Sequence, residues 1–145
     1  MKKILSLILA AILLVMPMCF ESYASEETNY DDLVAPCYTH LSQISASLIE
    51  GSLGFVTCTS NAVSFKENIT MVLTCALQRT DGTYAWENYK TKTETYTNGT
   101  VSNTIQKTWF APANYAYRVK TTVTIKNASG VVVETASVNS KVLYK

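Results

Sequence analysis

The chain has 145 residues, with 12 basic and 11 acidic side chains and four cysteines. This length corresponds to one domain that is large enough to bury a real core. The charge is balanced, and its slight basic excess is scattered, which excludes a typical nucleic-acid-binding surface because such a surface clusters its lysines and arginines on one face.

The N-terminal residues predict a secretory signal peptide. Two lysines precede an apolar run from Ile4 to Phe20, and Ser22 and Ala24 supply the small residues that a signal peptidase requires. The run is short for a membrane-spanning helix, which needs about 20 residues. We therefore expect residues 1–24 to be removed, with an uncleaved anchor as the alternative. The expected product is a secreted, extracellular protein that has no stable membrane association after cleavage.

The mature chain is expected to begin with a flexible acidic lead, residues 25–40, followed by one domain, residues 41–145. Cleavage removes two lysines and one glutamate, so the mature chain keeps ten basic and ten acidic residues. Four of the acids crowd residues 26–32. An acidic cluster of this kind at a chain terminus is usually a solvated tail.

Beyond the lead, polar and apolar residues alternate with a period of two, and no window shows a helical apolar stripe, so an all-β fold is expected. Seven strands are predicted, at Leu41–Ile49, Leu53–Ala62, Ile69–Arg79, Thr83–Thr95, Val101–Phe110, Tyr115–Lys126 and Val131–Tyr144. The Asp81-Gly82 and Asn98-Gly99 pairs predict turns between strands. This spacing favours an immunoglobulin-like antiparallel β-sandwich over a closed barrel.

The start of the sixth strand contains Ala113-Asn114-Tyr115-Ala116-Tyr117. A tyrosine at this position of an immunoglobulin-like fold can form a tyrosine corner, in which its hydroxyl bonds to the backbone a few residues upstream. The alternative is that two tyrosines simply lie on a half-buried strand.

Three cysteines remain after cleavage: Cys37, Cys58 and Cys75. An oxidising compartment favours disulfides, and both Cys58 and Cys75 lie at inward positions of neighbouring predicted strands. We expect a Cys58–Cys75 bridge, which would add about 3 kcal/mol by closing a short loop of the unfolded chain. Cys37 would then be a free thiol or an intermolecular link, which gives a monomer or a Cys37-linked dimer.

Two chemical roles for these cysteines are possible alternatives. Cys37 and His40 form a Cys-x-x-His pair that Cys58 and Cys75 would complete as four zinc ligands, but the spacing matches no zinc finger or knuckle. A nucleophilic Cys37 would need His40, the only histidine, as its base. No nucleophile elbow, phosphate-binding glycine loop or calcium loop is present, so we expect no enzyme activity and no cofactor or metal.

The aromatic residues are better candidates for function. Tyr84 and Trp86 are expected on one face of the fourth strand, where an exposed pair would stack on sugar rings or on a partner protein. For Trp86 itself, however, we expect packing in the core beside Trp109, because large aromatic residues are usually buried.

Several short segments of the chain are distinctive when taken together, and they are Ile44 to Gly51, Thr57-Cys58, Ile69 to Leu73, Leu77-Gln78-Arg79, Trp86 and Asn114 to Val119. These segments resemble a family of small secreted proteins of unknown function from Gram-positive, Clostridia-type bacteria. The resemblance covers about Leu41 to Leu143 and implies a single β-sandwich after a signal peptide. It implies no activity and no catalytic residue, and Cys37 departs from its pattern.

The sequence therefore favours a bacterial, non-catalytic extracellular module that binds an unidentified protein or glycan partner. One alternative is a secreted antimicrobial or toxin-like protein. A second alternative is a small hydrolase or redox protein that uses Cys37 and His40.

Overall fold

The computed structural model describes residues 38–97 and 102–145. Within these residues the fold is all β, as the alternating pattern predicts, and no helix is long and apolar enough to cross a membrane. The predicted signal peptide, Cys37 and the predicted turn at Asn98-Gly99 lie outside the described residues.

The strands form two antiparallel sheets. In chain order they are β1 Leu41–Glu50, β2 Phe55–Ser64, β3 Thr70–Thr80, β4 Glu87–Thr97, β5 Ser102–Phe110, β6 Ala116–Lys126, β7 Val132–Asn139 and β8 Leu143–Tyr144. The smaller sheet has the order β1-β2-β5. The larger sheet has the order β4-β3-β6-β7, and the short β8 pairs with the first residues of β6.

The fourth strand begins later than predicted, at Glu87 instead of Thr83. The Asp81 side chain is the reason, because its Oδ1 atom accepts the backbone N–H groups of Thr83 and Tyr84. These local hydrogen bonds give the backbone an alternative to the strand ladder. The segment after β3 is therefore a loop of residues 81–86, not a tight two-residue hairpin turn.

The predicted seventh strand is divided into β7 and β8, with the break at Ser140. The Ser140 hydroxyl accepts the backbone N–H of Val119 at 2.8 Å and donates to the carbonyl oxygen of Lys141 at 2.8 Å. A side chain thus takes the place of one backbone ladder bond, which redirects the chain before β8.

Inward-facing residues of both sheets share one core. On β6 every second residue is fully buried, and these residues are Tyr117, Val119, Thr121, Val123 and Ile125. The neighbouring strand β3 of the same sheet and strand β2 of the other sheet contribute Val56, Cys58, Met71, Leu73, Cys75 and Leu77. Each large side chain of this set stabilises the fold by roughly 1.5–3 kcal/mol relative to exposure.

A buried polar contact joins the two sheets through the core. Thr121 Oγ1 on β6 lies 2.6 Å from Ser60 Oγ on β2 and 3.1 Å from the carbonyl oxygen of Ser45 on β1. Because Thr121 and Ser60 are fully buried, their hydroxyls must find hydrogen-bond partners inside the protein. This contact helps to fix the register of one sheet over the other.

Tyr117, at the start of β6, is fully buried, and its hydroxyl donates to the carbonyl oxygen of Pro112 at 2.8 Å. Its ring makes edge-to-face contacts with Tyr89 and Tyr115, at centroid distances of 6.4 and 6.2 Å. The hydrogen bond reaches five residues back along the chain and ties the start of β6 to the segment before it.

Candidate functional site around Tyr84 and Trp86

Hydrogen bonds from its own polar groups hold the loop between β3 and β4 in a fixed conformation. Asp81 Oδ1 accepts the N–H of Thr83 at 2.9 Å and that of Tyr84 at 3.3 Å. Thr80 Oγ1 donates to the carbonyl oxygen of Tyr84 at 2.7 Å. Tyr84 itself is 78% exposed. The loop therefore presents an aromatic ring to solvent on a preorganised turn, which lowers the entropy lost when a partner binds.

A small open cavity of about 190 Å³ lies beside this loop. It is lined by Arg79, Thr80, Asp81, Tyr84, Ala85, Glu87 and Tyr115. Arg79 Nε donates to Glu87 Oε1 at 2.6 Å, and the guanidinium lies 4.4 Å from the ring centroid of Tyr89 and 4.7 Å from that of Tyr115.

Arg79 is therefore already held by a carboxylate and by two aromatic rings. The cavity offers a partner the Tyr84 ring and the Asp81 carboxylate on a rigid wall, and it offers no unpaired cation.

Trp86 lies on the outer surface of the larger sheet and is half-buried. The Arg118 guanidinium stacks over its ring at 4.3 Å from the centroid. Arg118 Nε donates to Gln78 Oε1 at 2.9 Å, and Gln78 Nε2 donates to Asn88 Oδ1 at 2.9 Å. The expected packing of Trp86 in the core beside Trp109 is therefore wrong. Of the two tryptophans, Trp109 packs against the core cluster and Trp86 does not.

The sequence predicted Tyr84 and Trp86 on one face of the fourth strand, and this prediction is wrong. Both precede β4, which begins at Glu87. Tyr84 lines the cavity, whereas the cavity wall does not include Trp86, which is stacked against Arg118. The two candidate residues are neighbours in the same loop that present two different surfaces.

Cys58 on β2 and Cys75 on β3 are both fully buried, and they are free thiols in the structure. Burial, and secondly the proximity of Cys75, raises the pKa of the Cys58 thiol to about 12. Burial also raises the pKa of Cys75, against an opposing hydrogen bond with Ser60. Both thiols are therefore poor nucleophiles. The Cys58–Cys75 bridge stays a prediction, since both side chains are buried in the same core but are free thiols in the structure.

His40 is held by Glu134 of β7. Glu134 Oε2 accepts the backbone N–H of His40 at 2.7 Å and lies 3.1 Å from its ring Nδ1 and 3.1 Å from Thr39 Oγ1. Thr39 Oγ1 approaches the same Nδ1 atom, at 2.9 Å. In a nucleophile–base–acid relay the hydroxyl and the carboxylate contact opposite ring nitrogens, so this geometry is that of a structural clamp between the start of β1 and β7.

The zinc alternative requires His40, Cys58 and Cys75 to lie together. All three are among the described residues, and these residues contain no group of three or more His, Cys, Asp or Glu side chains that could hold a metal ion.

A second exposed surface was missed by the sequence interpretation. Four large apolar side chains surround the β1–β2 turn and the end of β5, and they are Ile49, Leu53, Phe55 and Phe110. Leu53 is 88% exposed and has a φ of 56°. The rings of Phe55 and Phe110 meet edge to face at 5.7 Å. The apolar sequence Leu53-Gly54-Phe55 within a turn was the signal that could have indicated this surface.

No model of a known protein family matches the chain, and no curated protein matches it. The resemblance to secreted Clostridia-type proteins stays a prediction, and the functional argument depends on the geometry described above.

Proposed function

We propose that the protein is a secreted, non-catalytic binding module with an immunoglobulin-like β-sandwich, which contacts its partner through the β3–β4 loop. Two features support the finer fold assignment. The larger sheet places β6 between β3 and β7, so that strands distant in sequence are neighbours, as in Greek-key sandwiches. The bond from Tyr117 to Pro112 corresponds to a tyrosine corner.

The observation that carries the binding role is the position of Trp86. A tryptophan that could have been buried instead lies on the outer surface, where the Arg118 guanidinium stacks on its ring. Arg118 donates to Gln78, and Gln78 in turn donates to Asn88. Large, rigid aromatic side chains next to arginine are the side chains most enriched at the energetic centres of binding interfaces. Tyr84, in the same loop, presents a second exposed aromatic ring on a different surface.

The expected partner is a protein or a glycan outside the cell. Secretion after cleavage at Ala24, a Cys58–Cys75 bridge and a monomeric or Cys37-linked dimeric state belong to this proposal. The intact mass of the non-reduced protein from culture medium, measured with and without thiol alkylation, tests these points. We expect a chain that begins at Ser25, is two hydrogens light and carries one alkylatable thiol. Three alkylatable thiols would contradict the bridge.

Binding of the purified protein to bacterial and host cell surfaces, and to arrays of their glycans, tests the role. Trp86→Ala is expected to lose binding at least tenfold while the melting temperature changes little, because the ring is half-exposed. Phe65→Ala is a matched control, since Phe65 is also a half-exposed aromatic residue but follows β2 at the opposite end of the strands. Equal binding by wild type and Trp86→Ala would refute the proposal.

The exposed apolar cluster supports a second candidate function, that of a toxin-like protein that inserts Leu53 and its neighbours into a membrane. Leu53 occupies a left-handed backbone conformation at a cost of about 1–2 kcal/mol, while its side chain is almost completely exposed. Release of dye from lipid vesicles, lost on Leu53→Asp, would favour this candidate. If the protein neither releases dye nor inhibits growth, the toxin-like function is contradicted and the binding role is the remaining candidate.

A further inference from the structure

The outer face of the larger sheet carries positive charge and no negative charge. On β6 the residues between the buried positions point away from the core, and they are Arg118, Lys120, Thr122, Thr124 and Lys126. Three of these five side chains are cationic. β6 lies in the middle of its sheet, between β3 and β7, so these cations run along the centre of the face.

The six acidic residues among the described positions all lie elsewhere. Glu50 is the last residue of β1 in the other sheet, Asp81 is in the β3–β4 loop and Glu67 is in the β2–β3 loop. Glu94 and Glu134 pair across the sheet with the buried Leu73 and Ile125, so they occupy inward positions. Glu87 is bonded to Arg79.

The register neighbours of the three cations are uncharged. Gln78 lies beside Arg118, Ala76 and Asn139 flank Lys120, and Thr70 and Val132 flank Lys126. On the outer face of the smaller sheet, by contrast, the outward positions of β2 and its register partners on β5 include no ionisable side chain. One face of the molecule is therefore neutral and the other is basic.

The arrangement fits an extended ligand rather than a small anion. At about 3.4 Å per residue along a strand, Arg118 and Lys120 are roughly 7 Å apart, and Lys126 lies roughly 20 Å beyond Lys120. Three cations over this distance are too few for nucleic acid, which carries one phosphate per about 3.4 Å of each strand. The threonine hydroxyls between the cations are suited to hydrogen bonds with sugar hydroxyls.

Trp86 completes the surface at one end of β6, because its ring is stacked on Arg118. An aromatic ring beside an arginine provides an apolar platform for a sugar ring together with a fork of donors for its carboxylate.

We propose that the outer face of the β4-β3-β6-β7 sheet binds an acidic polysaccharide, a linear chain of sugar rings that carry carboxylates. Arg118, Lys120 and Lys126 pair with the carboxylates, and Trp86 packs against a ring at one end of the bound segment. This inference rests on the proposed binding function and names the ligand class of the same surface.

Polygalacturonate serves as the probe, and uncharged dextran serves as the neutral control. Binding is measured by calorimetry at 25 and 200 mM NaCl. We expect binding to polygalacturonate that weakens with salt, since exposed charge pairs are screened, and no binding to dextran. The double variant Lys120→Gln/Lys126→Gln should bind at least tenfold more weakly.

The double variant Lys66→Gln/Lys141→Gln is the matched control, because it removes the same net charge from loop positions outside β6. It should bind within twofold of wild type. Equal losses in the two double variants would overturn the proposal, because they would show that net charge alone attracts the polymer. Melting temperatures confirm that both variants are folded.

Absence of any binding to polygalacturonate would also overturn the proposal. If cell-surface binding that depends on Trp86 persists in that case, the binding function stands and only the ligand class is wrong. If Trp86-dependent binding is absent as well, both proposals fail.

Discussion

The hydroxyl of Tyr117 provides a sharp test of the fold. Tyr117→Phe keeps the ring and its contacts with Tyr89 and Tyr115 but removes the donor that bonds the Pro112 carbonyl at 2.8 Å. A hydrogen bond of this kind contributes about 0.5–1.5 kcal/mol, and an acceptor left without a partner costs up to about 1–3 kcal/mol when it is fully buried. Pro112 is only half-buried, so water can reach its carbonyl and the smaller values apply.

We therefore expect Tyr117→Phe to lower the free energy of unfolding by about 0.5–1.5 kcal/mol. For a domain of this size that corresponds to a fall in melting temperature of roughly 2–7 °C. Urea unfolding followed by circular dichroism measures the change. Tyr144→Phe is the control, because Tyr144 is 80% exposed and its hydroxyl is hydrated before and after unfolding. A Tyr117→Phe variant as stable as wild type would refute the structural role of this hydroxyl.

Two further predictions concern the turn glycines and the buried thiols. Gly54→Ala should destabilise the protein more than Gly82→Ala, by about 1 kcal/mol. Both glycines have φ near 80–90°, but an added Cβ at Gly54 would lie 2.8 Å from Phe110 Cε2, whereas one at Gly82 would meet nothing. Equal losses of stability on urea unfolding would contradict the close contact. Burial raises the pKa of Cys58 from 9.0 to about 12. The contribution of the neutral thiol to the free energy of unfolding of the reduced protein should therefore be complete below pH 9.0 and should be lost as the pH rises toward about 12. The stability of the Cys58→Val/Cys75→Val variant should fall less steeply over this pH range. The remaining fall is due to Tyr96, whose pKa is also raised to about 12. Identical pH profiles of stability for the variant and wild type would contradict the assignment to the thiols.

The fold class could be predicted from the sequence because period-two alternation directly reports which side of a strand is buried. On β6 the alternation from Tyr117 to Ile125 is complete, and the structure buries every second residue of it. The loop at residues 81–86 could not be predicted in the same way. Asp81-Gly82 is a strong hairpin signal, but the hydrogen bonds of Asp81 to Thr83 and Tyr84 favour a longer turn.

The candidate site could be predicted only in part. Trp86 was identified from its residue type, but its location depends on Arg118, which is 32 positions away in sequence and becomes a neighbour only through the pairing of β3 with β6. The apolar cluster has the same origin, since Phe55 and Phe110 meet through the register of β2 and β5. Cross-strand neighbours of this kind follow from sheet order, which local patterns do not specify.

The most direct test of the binding role is a two-dimensional amide NMR spectrum of the protein, recorded with and without the cell-surface fraction or polysaccharide that it retains. We predict that the perturbed amides lie in the loop of residues 81–86 and along β6, around Trp86 and Arg118. Perturbations confined to the β1–β2 turn and the end of β5, around Leu53 and Phe110, would contradict this account and would favour the membrane-directed alternative.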